Sequence, residues 1–110
     1  MSIRITKPFI DLNEENLQQV NGNLGIYQLA DDQDRVLKTG YAGGKSLFGL
    51  QGELRDALQQ QTAARFRTEI TSAYLTRYQE LLMLHQADFG ELPPLNDPAD
   101  VNNLGRLSPA

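Results

Sequence analysis

The sequence predicts a small α/β domain with a three-stranded, largely antiparallel sheet flanked by helices. Two apolar runs, LGIYQLA (24–30) and RVLKTGYA (35–42), are joined by the polar turn DDQD, which is typical of a β-hairpin. Leucines then recur at helical spacing, and a third strand pattern and a second helical pattern follow. A small mixed sheet covered by helices would bury this order of elements.

The remaining elements can be placed in chain order. ENLQQV (15–20) predicts a short helical turn with Asn13 or Asp11 as its cap. The stretch 46–61 predicts a helix capped by Ser46, and RFRTEIT (65–71) predicts the third strand. The stretch 72–90 predicts the longest helix, which ends at Gly90 and carries one apolar stripe: Tyr74, Leu75, Tyr78, Leu81, Leu82 and His85. We expect His85 to be a packed, hydrogen-bonded core residue, the alternative being a residue that hydrogen-bonds to a catalytic group or that acts as a general base.

Length and composition limit the kind of protein. A chain of 110 residues, 40% of them hydrophobic, suits one domain with one modest core, which we place at 1–96 with an irregular tail at 97–110. There is no cysteine, so disulfides and thiolate metal sites are excluded. No apolar run is long enough to span a membrane and no secretory signal is apparent, so we predict a cytoplasmic protein without a membrane partner.

The net charge of −4 argues against tight, nonspecific binding to nucleic acid. The charge is uneven, because residues 35–80 carry seven basic and four acidic side chains while both flanks are acidic. A basic centre of this kind could hold a phosphate backbone, or it could be ordinary surface scatter.

The glycine-rich stretch KTGYAGGKS (38–46) is similar to a phosphate-binding loop but lacks its spacing. Such a loop needs a glycine five residues before Gly44, and that position is Thr39. We therefore interpret the stretch as a turn between a strand and a helix, where glycine allows the chain to bend.

The pair of tripeptides GIY (25–27) and KTG (38–40), separated by ten residues, resembles the motif of the GIY-YIG endonuclease domain. A second match is Glu80 in a Glu-Leu-Leu helical run, followed by LPPLN (92–96), where the family carries Pro-x-x-Asn. The resemblance spans residues 24–96. In the second tripeptide only the glycine is kept, since lysine and threonine replace the tyrosine and the usual isoleucine or valine.

This resemblance implies metal-dependent phosphodiester hydrolysis of nucleic acid. It places Tyr27 among the catalytic residues and Glu80 as the ligand of one Mg²⁺ or Mn²⁺ ion. Lys38 occupies the position of the second tyrosine. It could act there as a cation near the phosphate or as a base, or its presence could indicate that the activity has been lost. The family's phosphate-binding arginine falls close to Gln51, so Arg55, one turn later on the same face, is the candidate for that role.

Two further candidates lie near the second tripeptide. Tyr41 is three residues beyond Lys38 and on the opposite face of the strand, so it does not directly restore the missing tyrosine. Lys45, at the start of the predicted helix, is another candidate cation.

These departures from the motif leave three alternatives open. The first is an active nuclease that uses Tyr27, Arg55 and Glu80. The second is a degenerate, catalytically inactive domain that binds nucleic acid, a protein, or a small anion at the glycine turn. The third is a fold recruited to small-molecule chemistry, with Tyr27, Lys38, Tyr41 and Glu80 as acid–base groups. The acidic balance predicts weak nucleic-acid binding, unless a protein partner or a homo-oligomer assists.

Overall fold

The computed structural model describes residues 5–44, 46 and 48–97, and it contains a four-stranded antiparallel sheet with helices on both faces. The predicted α/β class is therefore confirmed. In chain order the elements are β1 (Ile10–Asp11), α1 (Glu14–Leu17), β2 (Gly25–Ala30), β3 (Val36–Ala42), α2 (Gly49–Gln60), β4 (Arg65–Ile70) and α3 (Tyr74–Phe89). The candidate cation Lys45 and most of the predicted tail lie outside the described residues.

The sheet has one strand more than the three that the sequence predicts. Its strand order is β1-β4-β2-β3, so β2 is central and β3 is an edge strand. The additional strand, β1, is only two residues long, and Ile10 pairs with Phe66 while Asp11 pairs with Arg65. Two residues are too few to show the alternation by which a strand is recognised in a sequence.

One face of the sheet packs against α1 and α2. The side chains of Tyr27 and Leu29, two residues apart on β2, belong to this core together with Leu50 and Leu54 of α2. α1 begins as predicted after Asn13, whose side-chain oxygen accepts a hydrogen bond from the backbone N–H of Asn16 at 2.8 Å.

The opposite face packs against α3. Ile26 of β2 contacts a core of Tyr78, Leu81 and Leu82, which confirms most of the predicted apolar stripe. Leu75, placed on the stripe by its spacing, is 44% exposed. α3 ends at Gly90, whose positive φ of 77° is the left-handed conformation that glycine adopts readily at a helix C-terminus.

The start of α2 differs from the prediction. The helix begins at Gly49 rather than near Ser46, and no side chain caps its first turn. Ser46 instead accepts a hydrogen bond through its Oγ atom from the backbone N–H of Gly43 at 3.1 Å. The serine therefore closes the glycine turn on itself and does not cap the helix.

Buried polar groups connect three strands to the C-terminal segment. Gln28 of β2 donates to the hydroxyl of Thr39 on β3 at 3.0 Å and accepts from Arg67 of β4 at 2.8 Å. The backbone N–H and C=O of Thr39 are both bonded to the Asn96 side chain, at 2.8 and 2.9 Å. Because these polar groups are paired, the sheet buries them without an unsatisfied donor or acceptor among them.

None of the helices in the described part of the chain has the length and apolar character that a membrane crossing requires.

Candidate functional site

A groove of about 970 Å³ runs along the edge strand β3, with side chains of α2 on one side and of α3 on the other. All four tyrosines of the chain line it: Tyr27, Tyr41, Tyr74 and Tyr78. Lys38 lines it as well, so the groove brings together three of the five predicted site residues. We refer to it as the tyrosine groove.

Tyr27 lies against the glycine of the second tripeptide. Tyr27 and Gly40 are direct partners on β2 and β3, and a Cβ atom at Gly40 would lie 2.3 Å from Cζ of the Tyr27 ring. The ring thus occupies the space that any other residue at position 40 would need. Burial, followed by the negative charges of Glu53 and Asp56, raises the pKa of the Tyr27 phenol, so the hydroxyl stays protonated at neutral pH.

Two carboxylates of α2 line the groove beside Tyr27. Glu53 and Asp56 are three residues apart and therefore lie on one side of the helix. Burial and then the charge of Asp56 raise the pKa of the Glu53 carboxyl, whereas Lys38 on β3 lowers it. Since the net direction is upward, the charge of Lys38 does not offset the combined effect of burial and of Asp56 on the pKa of Glu53.

This charge balance predicts that Glu53→Gln stabilises the protein at neutral pH. Because the pKa of Glu53 is higher in the folded than in the unfolded chain, the folded state binds more protons between the two values, and the free energy of unfolding falls as pH rises through them. The free energy of unfolding of the variant should exceed that of the wild type by less than about 1 kcal/mol at pH 7, because the charge is partly exposed, and by little at pH 3. Urea denaturation at both pH values measures the difference.

The matched control for this variant is Asp32→Asn, which neutralises an exposed carboxylate in the hairpin turn and should give no comparable gain. In an Asp56→Asn background the gain from Glu53→Gln should shrink, because the repulsion has already been removed. A loss of stability in Glu53→Gln at pH 7 would show that attraction to Lys38 outweighs burial and repulsion.

The other tyrosines form a ring cluster on the α3 face of β3. The Tyr41 ring stacks on Tyr74 with centroids 5.7 Å apart, and it meets Tyr78 edge to face at 5.0 Å. Tyr41 is 38% exposed, so this cluster presents aromatic surface to the groove. Tyr41 lies on the opposite strand face from Lys38, as predicted from their spacing.

The glycine turn is built around Tyr74 rather than around a phosphate. The backbone N–H of Gly44 donates to the Tyr74 hydroxyl at 3.2 Å, and the N–H of Gly43 donates to Ser46. A phosphate cradle needs such N–H groups to be available. The anion site that the sequence suggested at this turn therefore lacks two of its donors.

Arg55 and Gln51 face α1 instead of the groove. Arg55 forms an ion pair with Glu14, and the Gln51 side chain donates to the carbonyl oxygen of Leu17 at 3.0 Å. The two residues do share a helix face, as the sequence predicts, but that face packs beside α1. Neither residue lines the tyrosine groove.

Glu80 also lies outside the groove, in an ion-pair cluster between α3 and β4. Its carboxylate accepts a hydrogen bond from Arg77, and Arg77 also binds Glu69 of β4 at 2.7 and 3.1 Å. The Arg77 side chain is only 13% exposed. The pair of Glu80 and Arg77 lies within α3, and Arg77 connects this pair to the sheet through Glu69.

These contacts bear on the metal site that the resemblance implies, in which Glu80 is the one protein ligand. Among the described residues, no group of three or more His, Cys, Asp or Glu side chains is arranged to hold a metal ion. The Glu80 carboxylate is bonded to a guanidinium, which competes with a cation for the same oxygens. Binding of Mg²⁺ or Mn²⁺ at Glu80 stays a prediction.

The basic centre of the sequence is largely neutralised by its neighbours. Arg35, Arg55, Arg65 and Arg77 each form ion pairs with one or more carboxylates. These pairs reduce the positive charge that four of the seven basic residues of this segment offer to a phosphate backbone.

Comparison with protein families assigns the chain to a family. The model of a family described as a domain of unknown function, DUF7508, matches residues 1–88. The chain belongs to the DUF7508 family. A comparison with curated proteins gave no match.

Four residues of the tyrosine groove with titratable side chains were not predicted as site residues: Glu53, Asp56, Tyr74 and Tyr78. The two tyrosines were assigned to the apolar stripe of α3, and Tyr78 is indeed buried there. A usable signal was present, since Tyr74 and Tyr78 are one helical turn apart, as are Glu53 and Asp56. That the two pairs meet across β3 is decided by tertiary packing.

Proposed function

We propose that the DUF7508 domain is a binding domain, and that its tyrosine groove takes a ligand with an organic cationic group, such as a lysine or arginine side chain of a partner protein. One observation carries the proposal: the groove joins four tyrosines to two carboxylates, whereas the arginine and glutamate expected of a nuclease lie outside it. The cytoplasmic location predicted from the sequence belongs to the same proposal.

The chemistry of the groove favours a cation over a phosphate. Tyrosine faces attract organic cations by about 0.5–2 kcal/mol, depending on how far the pair is removed from water. Among the residues that the structure describes, Glu53 and Asp56 add two negative charges to the groove against the one positive charge of Lys38. Burial and then the charge of Asp56 raise the pKa of Glu53, and a bound cation would offset the second of these effects, whereas a phosphate would increase it.

The proposal is tested by titrating the protein with three small probes and following tyrosine ring signals by NMR. Arginine amide carries the cation, norleucine amide is a side chain without the guanidinium, and inorganic phosphate is the anion; both amides are acetylated at the α-amino group, so that the guanidinium is their one difference in charge. We expect arginine amide to shift the signals of Tyr41 and Tyr74, with weaker effects from the other two. Binding should strengthen as pH rises and Glu53 loses its proton, since the attraction is between opposite charges.

The deciding variant is Glu53→Gln/Asp56→Asn, which removes both groove carboxylates and keeps the side-chain shapes. Its matched control is Glu15→Gln/Asp32→Asn, which removes two exposed carboxylates elsewhere. The first variant should lose most of the preference for arginine amide over norleucine amide, and the second should keep it. Equal binding of both amides by the wild type, or tighter binding of phosphate, would refute the proposal.

A metal-dependent nuclease is the second candidate, and the contact between the two tripeptides favours it. The Tyr27 ring lies on Gly40, so the GIY sequence meets the glycine of the second motif. The test is cleavage of mixed DNA and RNA with Mg²⁺ or Mn²⁺ by the wild type, Tyr27→Phe and Glu80→Ala. Cleavage by the wild type that both variants lose would establish this candidate over the binding proposal.

A further inference from the structure

A second cavity, of about 590 Å³, lies on the α3 face of the sheet, between the β2–β3 hairpin and the C-terminal half of α3. Its volume is in the range of pockets that bind small molecules. The cavity and the tyrosine groove share no lining residue, so ligands at the two sites can be followed separately.

Part of the cavity wall is apolar and open to a ligand. Leu84 and Phe89 of α3 and Phe9 from the segment before β1 contribute to it. The Phe89 side chain is 69% exposed, and its ring lies 4.6 Å from the ring of His85, which lines the same cavity. His85 is thus a half-buried residue at a cavity wall, and its Nδ1–H donates to the carbonyl oxygen of Glu91 at 2.8 Å.

The floor of the cavity holds a positive charge without a carboxylate partner. The Arg67 guanidinium donates to the side-chain oxygen of Gln28 at 2.8 Å and to the backbone carbonyl of Lys7 at 3.1 Å, and it lies 4.1 Å from the centre of the Phe9 ring. All of these partners are neutral. Within the described residues, Arg67 is the one arginine that forms no ion pair.

Burial disfavours the charged form of the Arg67 side chain. It lowers the pKa of the guanidinium, and the more distant charge of Asp34 opposes this effect. A half-buried cation held only by neutral acceptors is stabilised when an anion joins it. Arginine is also the side chain best shaped to receive a carboxylate through two parallel hydrogen bonds.

We infer that this cavity binds a small molecule with an apolar body and a single carboxylate, whose carboxylate pairs with Arg67 while the body covers Leu84 and Phe89. The hairpin carboxylates that line the cavity, Asp31 and Asp34, are paired with Arg35 and Arg65 and so repel the ligand less. Asp88 and Glu91 also line it, and their negative charge opposes any anion, so the pairing with Arg67 has to exceed this repulsion and a second negative charge on the ligand is disfavoured further.

The test compares three eight-carbon probes below the concentration at which they form micelles: octanoate, 1-octanol and octylammonium. Binding is followed by the NMR signals of the Arg67 Nε–H group and of the His85 ring. We expect octanoate to shift both and to bind at least about tenfold more tightly than the alcohol, as a hydrogen-bonded charge pair provides. Octylammonium should bind more weakly than octanoate.

Two variants, with one control, separate the contribution of the Arg67 charge to binding from the contribution of the apolar wall. Arg67→Met should abolish the preference for octanoate over octanol, whereas Arg55→Met, on the other face of the sheet, should keep it. Phe89→Ala changes an exposed residue and should weaken both probes alike. The inference is overturned if octanol or octylammonium binds as tightly as octanoate, if Arg67→Met retains the preference, or if octanoate leaves the Arg67 and His85 signals unchanged.

Discussion

Replacing Asn96 by alanine is expected to lower the free energy of unfolding by about 2–4 kcal/mol, because two buried backbone groups lose their partners. The Asn96 amide accepts from the N–H of Thr39 at 2.8 Å and donates to its carbonyl oxygen at 2.9 Å. Asn96 is 7% exposed and Thr39 is fully buried, so water does not readily replace the amide. Urea denaturation of both proteins measures the loss.

Asn96→Asp makes the test more specific to hydrogen bonding. An aspartate keeps an acceptor for the Thr39 N–H but, when ionised, places a second oxygen against the Thr39 carbonyl, so it should be at least as destabilising as alanine. The control Asn21→Ala changes an exposed asparagine and should have little effect. Unchanged stability in Asn96→Ala would mean that the C-terminal segment does not hold the edge of β3.

The role of Asn96 bears on how the GIY-YIG resemblance is interpreted. The Pro-x-x-Asn sequence was counted with the catalytic motif, yet the asparagine covers the outer edge of β3, together with a backbone bond from Leu95 to Leu37 at 2.8 Å. A covered edge no longer offers those backbone groups to another strand. Asn96 therefore has a structural role at this point, and this role does not distinguish a nuclease from a binding domain.

The hairpin and α3 could be predicted because their patterns are long and regular. The two apolar runs of β2 and β3 and the polar turn between them place both strands within one residue of their observed ends. The stripe on α3 identifies its buried face, and Gly90 its end. Local patterns of this kind depend on residues that are neighbours in the sequence, so one chain is enough to show them.

The site could be predicted only in part, because helix orientation is decided by packing. Gln51 and Arg55 share one side of α2 with each other, and Glu53 and Asp56 share another. The sequence does not show which side faces α1 and which faces β3. The predicted arginine consequently lies outside the groove, and two carboxylates occupy it.

The tyrosine groove illustrates the same limit over a longer distance. Tyr41 is separated from Tyr74 by more than 30 residues, and their stacking requires that α3 cross the face of β3. Glu80, two residues beyond Tyr78, belongs to the same helix but is turned towards Arg77 and β4. The sequence predicts the position of each of these residues on the helix, but it does not show which side chains of other elements they contact.

The largest loss of stability is expected for Gly49→Ala, which should lower the free energy of unfolding by more than about 3 kcal/mol. Gly49 has a φ of 59°, which costs an alanine roughly 1–2 kcal/mol. In addition, a Cβ atom there would lie 2.2 Å from the carbonyl oxygen of Gly22 and 2.7 Å from that of Asn23. Because both are backbone atoms, relief requires α2 to move away from the turn before β2.

Gly90→Ala separates the two contributions. Gly90 has a comparable φ of 77°, but a Cβ atom added there would meet nothing within 4 Å, so it should lose only the conformational part, about 1–2 kcal/mol. Thermal and urea denaturation of both variants gives the difference, which measures the close contact with Gly22. Equal losses would show that the α2 start can shift freely. A larger loss at Gly49 would instead mean that this contact fixes α2, and with it the distance of Glu53 and Asp56 from Tyr27.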